Sequence, residues 1–362
     1  MAAATSKHQA GTDLDKFDLH LLHSIYSLRY ATAEHIVACQ SSNKQSRSLH
    51  SKSAFKVAVK VASQNLAKLQ KLGCLKRIGR PVGKLFGPGI YALGENSLSV
   101  LSRYPGHDEA EIKKQLQDTF SYLESKSENV QFLIENCLGV NLFRSSLTLS
   151  LQSHSNADWV YNENNTPYWI QSTANRNLTI QAKVKTASIP PFARRFFNQT
   201  DEETQLQCNV DAMFILNFSD HKVGFLYKRD AGQESHEEVA ANLLCHYNWF
   251  QQNQHQKAFD TNRLRVLIET YSEQRMNNIF DRLARSIKQA RNEATDSPVF
   301  WFTLKNNFSL DSPSKIFEPI WRVKYANYLD QRHNLLEFTS PKEALNPESL
   351  DLDSADEEID SV

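Results

Sequence analysis

Between Glu34 and Glu95 stand eleven Lys or Arg residues and no Asp or Glu. Side chains of that sign neutralise phosphates and displace the counterions condensed on a nucleic acid. The chain as a whole has no such bias, since its 41 basic residues equal its 41 acidic ones over 362 positions. Charge is segregated instead: the front is basic, and after Lys342 come eight acids and no base. Lys56, Lys60, Ser63, Gln64, Lys68, Lys71, Arg77, Arg80 and Lys84 are the candidate contacts to double-stranded DNA. Lys56, Lys60 and Gln64 recur about one helical turn apart, the arrangement that fills a major groove. The competing reading is a solvated helix face beside a surface hairpin.

Other chemistry is weakly represented. His20 and His23 sit three apart in an amphipathic segment, where a helix-surface role is the simpler reading. No His-x-His triplet accompanies a tyrosine nucleophile, which argues against a covalent tyrosyl mechanism of the common relaxase type. No GxxxxGK[ST] loop occurs, so an NTP-driven motor has no support. His236-Glu-Glu reads as the first turn of a helix, and Arg194-Arg195 beside Phe196-Phe197 as either a phosphate grip or an exposed loop facing the acids at 201–203. The five cysteines, at 39, 74, 137, 208 and 245, form no CxxC pair. That excludes the usual zinc and disulfide frameworks and predicts a reducing, cytoplasmic setting. The small polar start at 1–12 predicts no signal peptide, and no apolar run approaches the roughly 20 residues of a membrane span.

The elements that must carry the basic residues follow from periodicity. Residues 14–28 read as an amphipathic helix with Phe17, Leu21, Leu22 and Ile25 on one face. Thr32 is placed to cap a short helix, TAEHIVACQ. A polar loop at 41–53 precedes a third helix, in which Phe55, Val59, Ala62, Leu66 and Leu69 make one apolar face. Gly73 ends it, and strands at 75–78 and 90–93 close a hairpin through a Gly- and Pro-rich turn at 79–89. Helix, helix, helix and basic hairpin is the order of a winged helix-turn-helix, completed by a short helix at 95–104.

Residues 105–140 read as a helical connector that either pairs two subunits into a homodimer or bridges to the next unit. From Leu142 the period changes to two, and LFRSSLTLSLQ, DWVYN, YWIQS and LTIQAKV read as strands. Further strands are expected at 210–216, 223–227 and 264–270, the last buried on both faces, with a final one at 299–303. Helices are expected at 236–253 and 272–294. The fold class is therefore α+β: a winged helix-turn-helix at 14–104, then a mixed-sheet α/β unit at 141–320. Residues 1–13 and an acidic tail at 340–362 are expected to be disordered.

Four stretches in this order carry a family resemblance. LQKLGCLKRI with IYALGENSLSVL is similar to an "L–L–GLL–R … VY–LT–G" pattern. CNVDAMFIL resembles a "PDA" strand, VGFLYKRDAGQE a "FLEIDRGTE" segment, and LRVLIETYSEQRMNNIF with VFWFT a "RVL–T–S–R–NL" stretch and its aromatic strand. Together they resemble the replication-relaxation family of plasmid and integrative-element proteins, including MobC-type mobilisation proteins. The resemblance covers 14–320 and implies a winged helix joined to a unit similar to restriction endonucleases.

It also implies a site. Asp211 matches the first acid of such a core, and Asp230 a second; together they would hold Mg²⁺, which would activate water and steady the phosphate. Where the family pattern has Glu, this chain has Lys228, an ammonium for a carboxylate, which shifts the charge of the site by two units; Glu234 is the nearest substitute. The implied function is DNA binding at a transfer or replication origin, in company with another mobilisation or replication protein. Two alternatives stand beside it: a metal-dependent DNA nickase acting through Asp211, Lys228 and Asp230, and a transcriptional regulator.

Overall fold

The structure is a computed structural model and describes residues 14–42, 51–79, 88–104, 107–125, 128–163, 165–172, 177–200, 202–291, 299–325 and 328–336. Asp15 caps the first helix, α1 (Lys16–Leu28), in a reciprocal box with Asp18. Thr32 caps α2 (Ala33–Gln40), as its place before the apolar run predicts, and Ser51 caps α3 (Lys52–Lys71) by accepting the Ala54 N–H. Gly73 follows with φ of 71°, a backbone setting that β-carbon-bearing residues avoid. β1 (Leu75–Ile78) and β2 (Ile90–Leu93) pair antiparallel. Ala31, between α1 and α2, exchanges two backbone hydrogen bonds with Tyr91 of β2, at 3.1 and 2.8 Å. The short α4 (Ser97–Leu101) closes this unit.

Its core takes in Leu21, Leu22 and Ile25 of α1 and Ala62, Leu66 and Leu69 of α3, as periodicity predicts, together with Ile36 of α2, while Phe55 and Val59 are half-buried against it. Phe17 departs from expectation. It remains 39% exposed, in the first turn of α1.

α5 (Glu109–Ser125) leads into α6 (Glu128–Leu151), and here the sequence reading needs correction. LFRSSLTLSLQ is not a strand but, up to Leu151, the C-terminal half of α6. Phe143, Leu147 and Leu151, four apart, face the sheet, while Asn141, Ser145, Ser146, Thr148 and Ser150 are buried as well. A helix enclosed on every side shows no polar stripe, so its 3.6-residue period is hidden. Asn141 shows how it is enclosed: its amide donates to the carbonyls of Leu28 (3.0 Å) and Tyr30 (2.8 Å), tying α6 to the N-terminal unit.

The sheet unit contains β3 (Ala157–Trp159), β4 (Trp169–Gln171), β5 (Leu178–Lys185), the one-turn α7 (Pro191–Arg194), β6 (Asn198–Gln199), β7 (Glu203–Val210), β8 (Ala212–Phe218) and β9 (Lys222–Arg229). After these come α8 (His236–Gln251), α9 (Gln254–Phe259), β10 (Leu264–Thr270), α10 (Glu273–Arg291), β11 (Phe300–Leu304), β12 (Trp321–Tyr325) and β13 (Tyr328–His333). The main sheet runs β13-β12-β11-β10-β9-β8-β3, with β4 also on β8. β10 lies parallel to β9 and β11, and the other pairings are antiparallel, so the sheet is mixed, as expected. β11 is not the final strand: β12 and β13 extend the sheet beyond it. β7 also lies outside the sequence reading; with β5 and β6 it forms a separate three-stranded sheet.

Every residue of β10 is buried, which its unbroken apolar run predicts for a strand covered on both faces. α8, α10 and the β5–β7 sheet cover one face. α6 covers the other, where Phe143 stacks on Tyr227 with ring centroids 4.1 Å apart. Among the described residues no helix is long and apolar enough to cross a membrane.

Candidate functional site

The basic surface is built on α3 and β1. Because Ala62, Leu66 and Leu69 turn inward, Lys60, Gln64 and Lys71 fall on the outer side and are exposed; Lys56 is exposed toward its edge and Ser63 is half-buried. Lys68 is held elsewhere. Its ammonium lies 2.5 Å from the fully buried carboxylate of Asp18 on α1, so it ties two helices together. Arg77 is exposed on β1. Arg80 and Lys84 lie outside the described residues, as do most of the loop at 41–53 and the acidic tail. Lys76 of β1 pairs with Glu95 at 3.1 Å, and Lys52 with Asp311 at 3.9 Å, both at exposed positions of little energetic weight. No acid from within the 35–94 stretch faces this surface, because the stretch contains none.

The acid–lysine pocket lies on the other unit. Asp211 immediately precedes β8, and the antiparallel β9 returns beside it, so Lys228, Arg229 and Asp230 arrive at the same sheet end. These residues, with Asn129, Phe132 and Asn136 of α6 and with Glu234, line a pocket of about 310 Å³. Thus the residues singled out by the resemblance do gather in one place. Asp211 is engaged through both oxygens: one accepts the Asn136 amide at 2.8 Å and the other the Arg229 backbone N–H at 2.7 Å. Lys228 donates to Glu234 at 3.3 Å. Burial works against its charge, yet the carboxylates of Asp211 and Glu234 outweigh it and hold the amine above the ordinary lysine pKa.

Asp230 is enclosed by Arg275 from the first turn of α10, which approaches both carboxylate oxygens; one of these contacts is 2.6 Å. The same guanidinium donates to the Glu234 carbonyl at 2.6 Å. On the α6 side, Arg229 pairs with buried Glu269 at 3.0 Å, and the Tyr227 hydroxyl donates to the other Glu269 oxygen at 3.0 Å. Burial pushes the Glu269 carboxyl up, against the pull of Arg229. Arg229 reaches this position because residue 139 of α6 is glycine; a β-carbon there would overlap the guanidinium.

A divalent ion held by Asp211 and Asp230 needs open oxygen lone pairs and a net negative cradle. Asp211 accepts two N–H groups, Asp230 is matched by a bidentate guanidinium, and an ammonium stands beside Asp211. These residues do not fit Mg²⁺. Among the described residues, no group of three or more His, Cys, Asp or Glu is arranged to hold a metal.

Sequence reading singled out Asp211, Lys228, Asp230 and Glu234 but not Asn136, Glu269 or Arg275. Arg275 lies inside the YSEQRMNNIF stretch that carries the resemblance, which was the available signal; its partner Asp230 is 45 positions away. No family model, curated protein or solved structure matches the chain.

Proposed function

We propose that the chain is a duplex-DNA-binding protein of the replication-relaxation type, gripping DNA through a winged helix at 14–104 and using its sheet unit as a scaffold. The observation that carries this reading is a run of basic residues with no acid among them. Lys56, Lys60 and Lys71 on α3 and Arg77 on β1 are exposed together, in a stretch without an Asp or Glu. Further support comes from chain order: α1, the extended residue Ala31 paired to the hairpin, α2, α3, then β1 and β2. That order supports reading α3 as the recognition helix and the hairpin as the wing.

The sheet unit supports a restriction-endonuclease-like reading in its layout, with Asp211 entering one strand, a neighbouring antiparallel strand, then a helical crossover to a parallel one. Its pocket chemistry favours a non-catalytic role, in which another mobilisation or replication protein supplies any strand cleavage, in the cytoplasm.

The test is a salt titration. Binding of a labelled duplex by the full chain should weaken with a linear log–log slope, and Lys56→Ala with Lys60→Ala should lower that slope by about 0.9 for each phosphate contact removed. Both residues are exposed, so the melting temperature should not move. An unchanged slope would remove α3 as the DNA contact.

A further inference from the structure

Two valines stand on the outer side of α3 in water: Val57 is 64% exposed and Val61 44%. They are not there for helix stability, because β-branched residues are poor helix formers. They are not core either, since α3 buries Ala62, Leu66 and Leu69 on the opposite side. One turn apart, they form a ridge, and Gln64 continues the same side one turn after Lys60. The ridge lies beside Lys56 and Lys60, in a stretch of chain that contains no acid.

An apolar ridge in a cationic field fits a partner that is anionic outside and carries small apolar groups within. B-form DNA meets both conditions in its major groove, where the C5-methyl of thymine is the apolar group on offer and Gln is the side chain suited to adenine. An anionic lipid surface would also attract the charge, but a membrane-inserting face uses larger wedges of Trp, Phe or Leu. From Val57 to Gln64 the helix advances about 10 Å, which spans about three base pairs.

We infer that Val57 and Val61 are specificity-determining residues that pack on thymine methyls in the major groove, with Gln64 reading an adjacent adenine. The inference rests on the DNA-binding reading above and adds what the site selects: a short run of T·A steps.

The experiment selects binding sequences from a randomised duplex pool with the full chain, then rebuilds the best duplex with deoxyuridine for thymidine, which removes only the methyl. Wild type should lose about fourfold in affinity for each contacted methyl. The Val57→Ala, Val61→Ala variant should bind the thymidine duplex more weakly and the deoxyuridine duplex no worse than that. Its melting temperature should match wild type. Equal loss on deoxyuridine in both proteins, or none in wild type, overturns the valine assignment while salt-dependent binding keeps the DNA reading intact. Failure of wild type to bind any duplex overturns both. Capture by vesicles of phosphatidylserine, lost in the double variant, would assign the ridge to a membrane and overturn the inference.

Discussion

Lys228 decides the chemistry of its pocket. Its ammonium balances Asp211 and Glu234, and Arg275 balances Asp230. Lys228→Glu would place a third carboxylate beside Asp211 and Glu234 and remove the ammonium that offsets them. We expect a loss of the order of 3 kcal/mol in metal-free buffer, the scale for an uncompensated buried charge. Mn²⁺ should then restore part of the melting temperature of the variant and leave wild type unmoved; a wild type stabilised by Mn²⁺ would contradict the misfit described above. His246 offers a second test. It is fully buried on α8, its Nδ1 donates to the Asn242 carbonyl at 2.8 Å, and burial lowers its pKa to about 4. Between about pH 6.5 and pH 4 the unfolded chain takes up a proton that the folded chain refuses. Stability should therefore fall on acidification by about 1.4 kcal/mol per pH unit from this group. Urea midpoints measured across that window should show the slope shrink by one proton in His246→Gln. At this scale, the acids and the odd lysine were legible because they are contiguous with recognisable strands. Their neutralisers were not, because Arg275 and Asn136 reach the pocket from other elements.

Helices with a wet face were legible; the C-terminal half of α6 was not. α1 and α3 announce themselves by polar residues opposite apolar ones, and the cap of α2 falls at Thr32, as its place in the sequence predicts. α6 is enclosed by the N-terminal unit and the sheet, so alternation of Leu with Ser and Thr imitates a strand. β7 escaped notice for a related reason: its outward Gln and Asn residues dilute the apolar alternation that Leu206, Cys208 and Val210 supply. Gly139 tests the α6 assignment directly. In a solvated helix Gly→Ala adds about 1 kcal/mol of stability. Here the new β-carbon meets a guanidinium pinned by Glu269 and by the Glu135 carbonyl, so it cannot step aside. Gly139→Ala should destabilise the protein by about 2 kcal/mol, overpacking outweighing propensity; a rise in the urea midpoint would show that Arg229 is free to move.

For the whole molecule, the expectation is recognition without cleavage. The full chain incubated with supercoiled DNA and Mg²⁺ should leave it supercoiled, and Asp211→Ala should change nothing in that assay. Nicking by wild type that Asp211→Ala abolishes would promote the nickase reading over the scaffold reading. The broad architecture was legible in the order of periodicities, three helices and a hairpin followed by strands and crossovers. The way the halves join was not, because it depends on a helix whose partners lie on both sides.

That helix also limits how such a protein can be rearranged. Many folded units are exchanged between proteins as cassettes, with breakpoints in exposed linkers. Here Val140, Phe143 and Leu147 belong to the sheet's core, while Ile134 and Cys137 pack with Tyr30, Ile78 and Ile90 of the N-terminal unit. A crossover anywhere within 128–151 would leave one half with an uncovered apolar seam. Recombinants that keep the helix with either half alone should yield aggregates, and only those inheriting both flanks together should be recovered as folded chains.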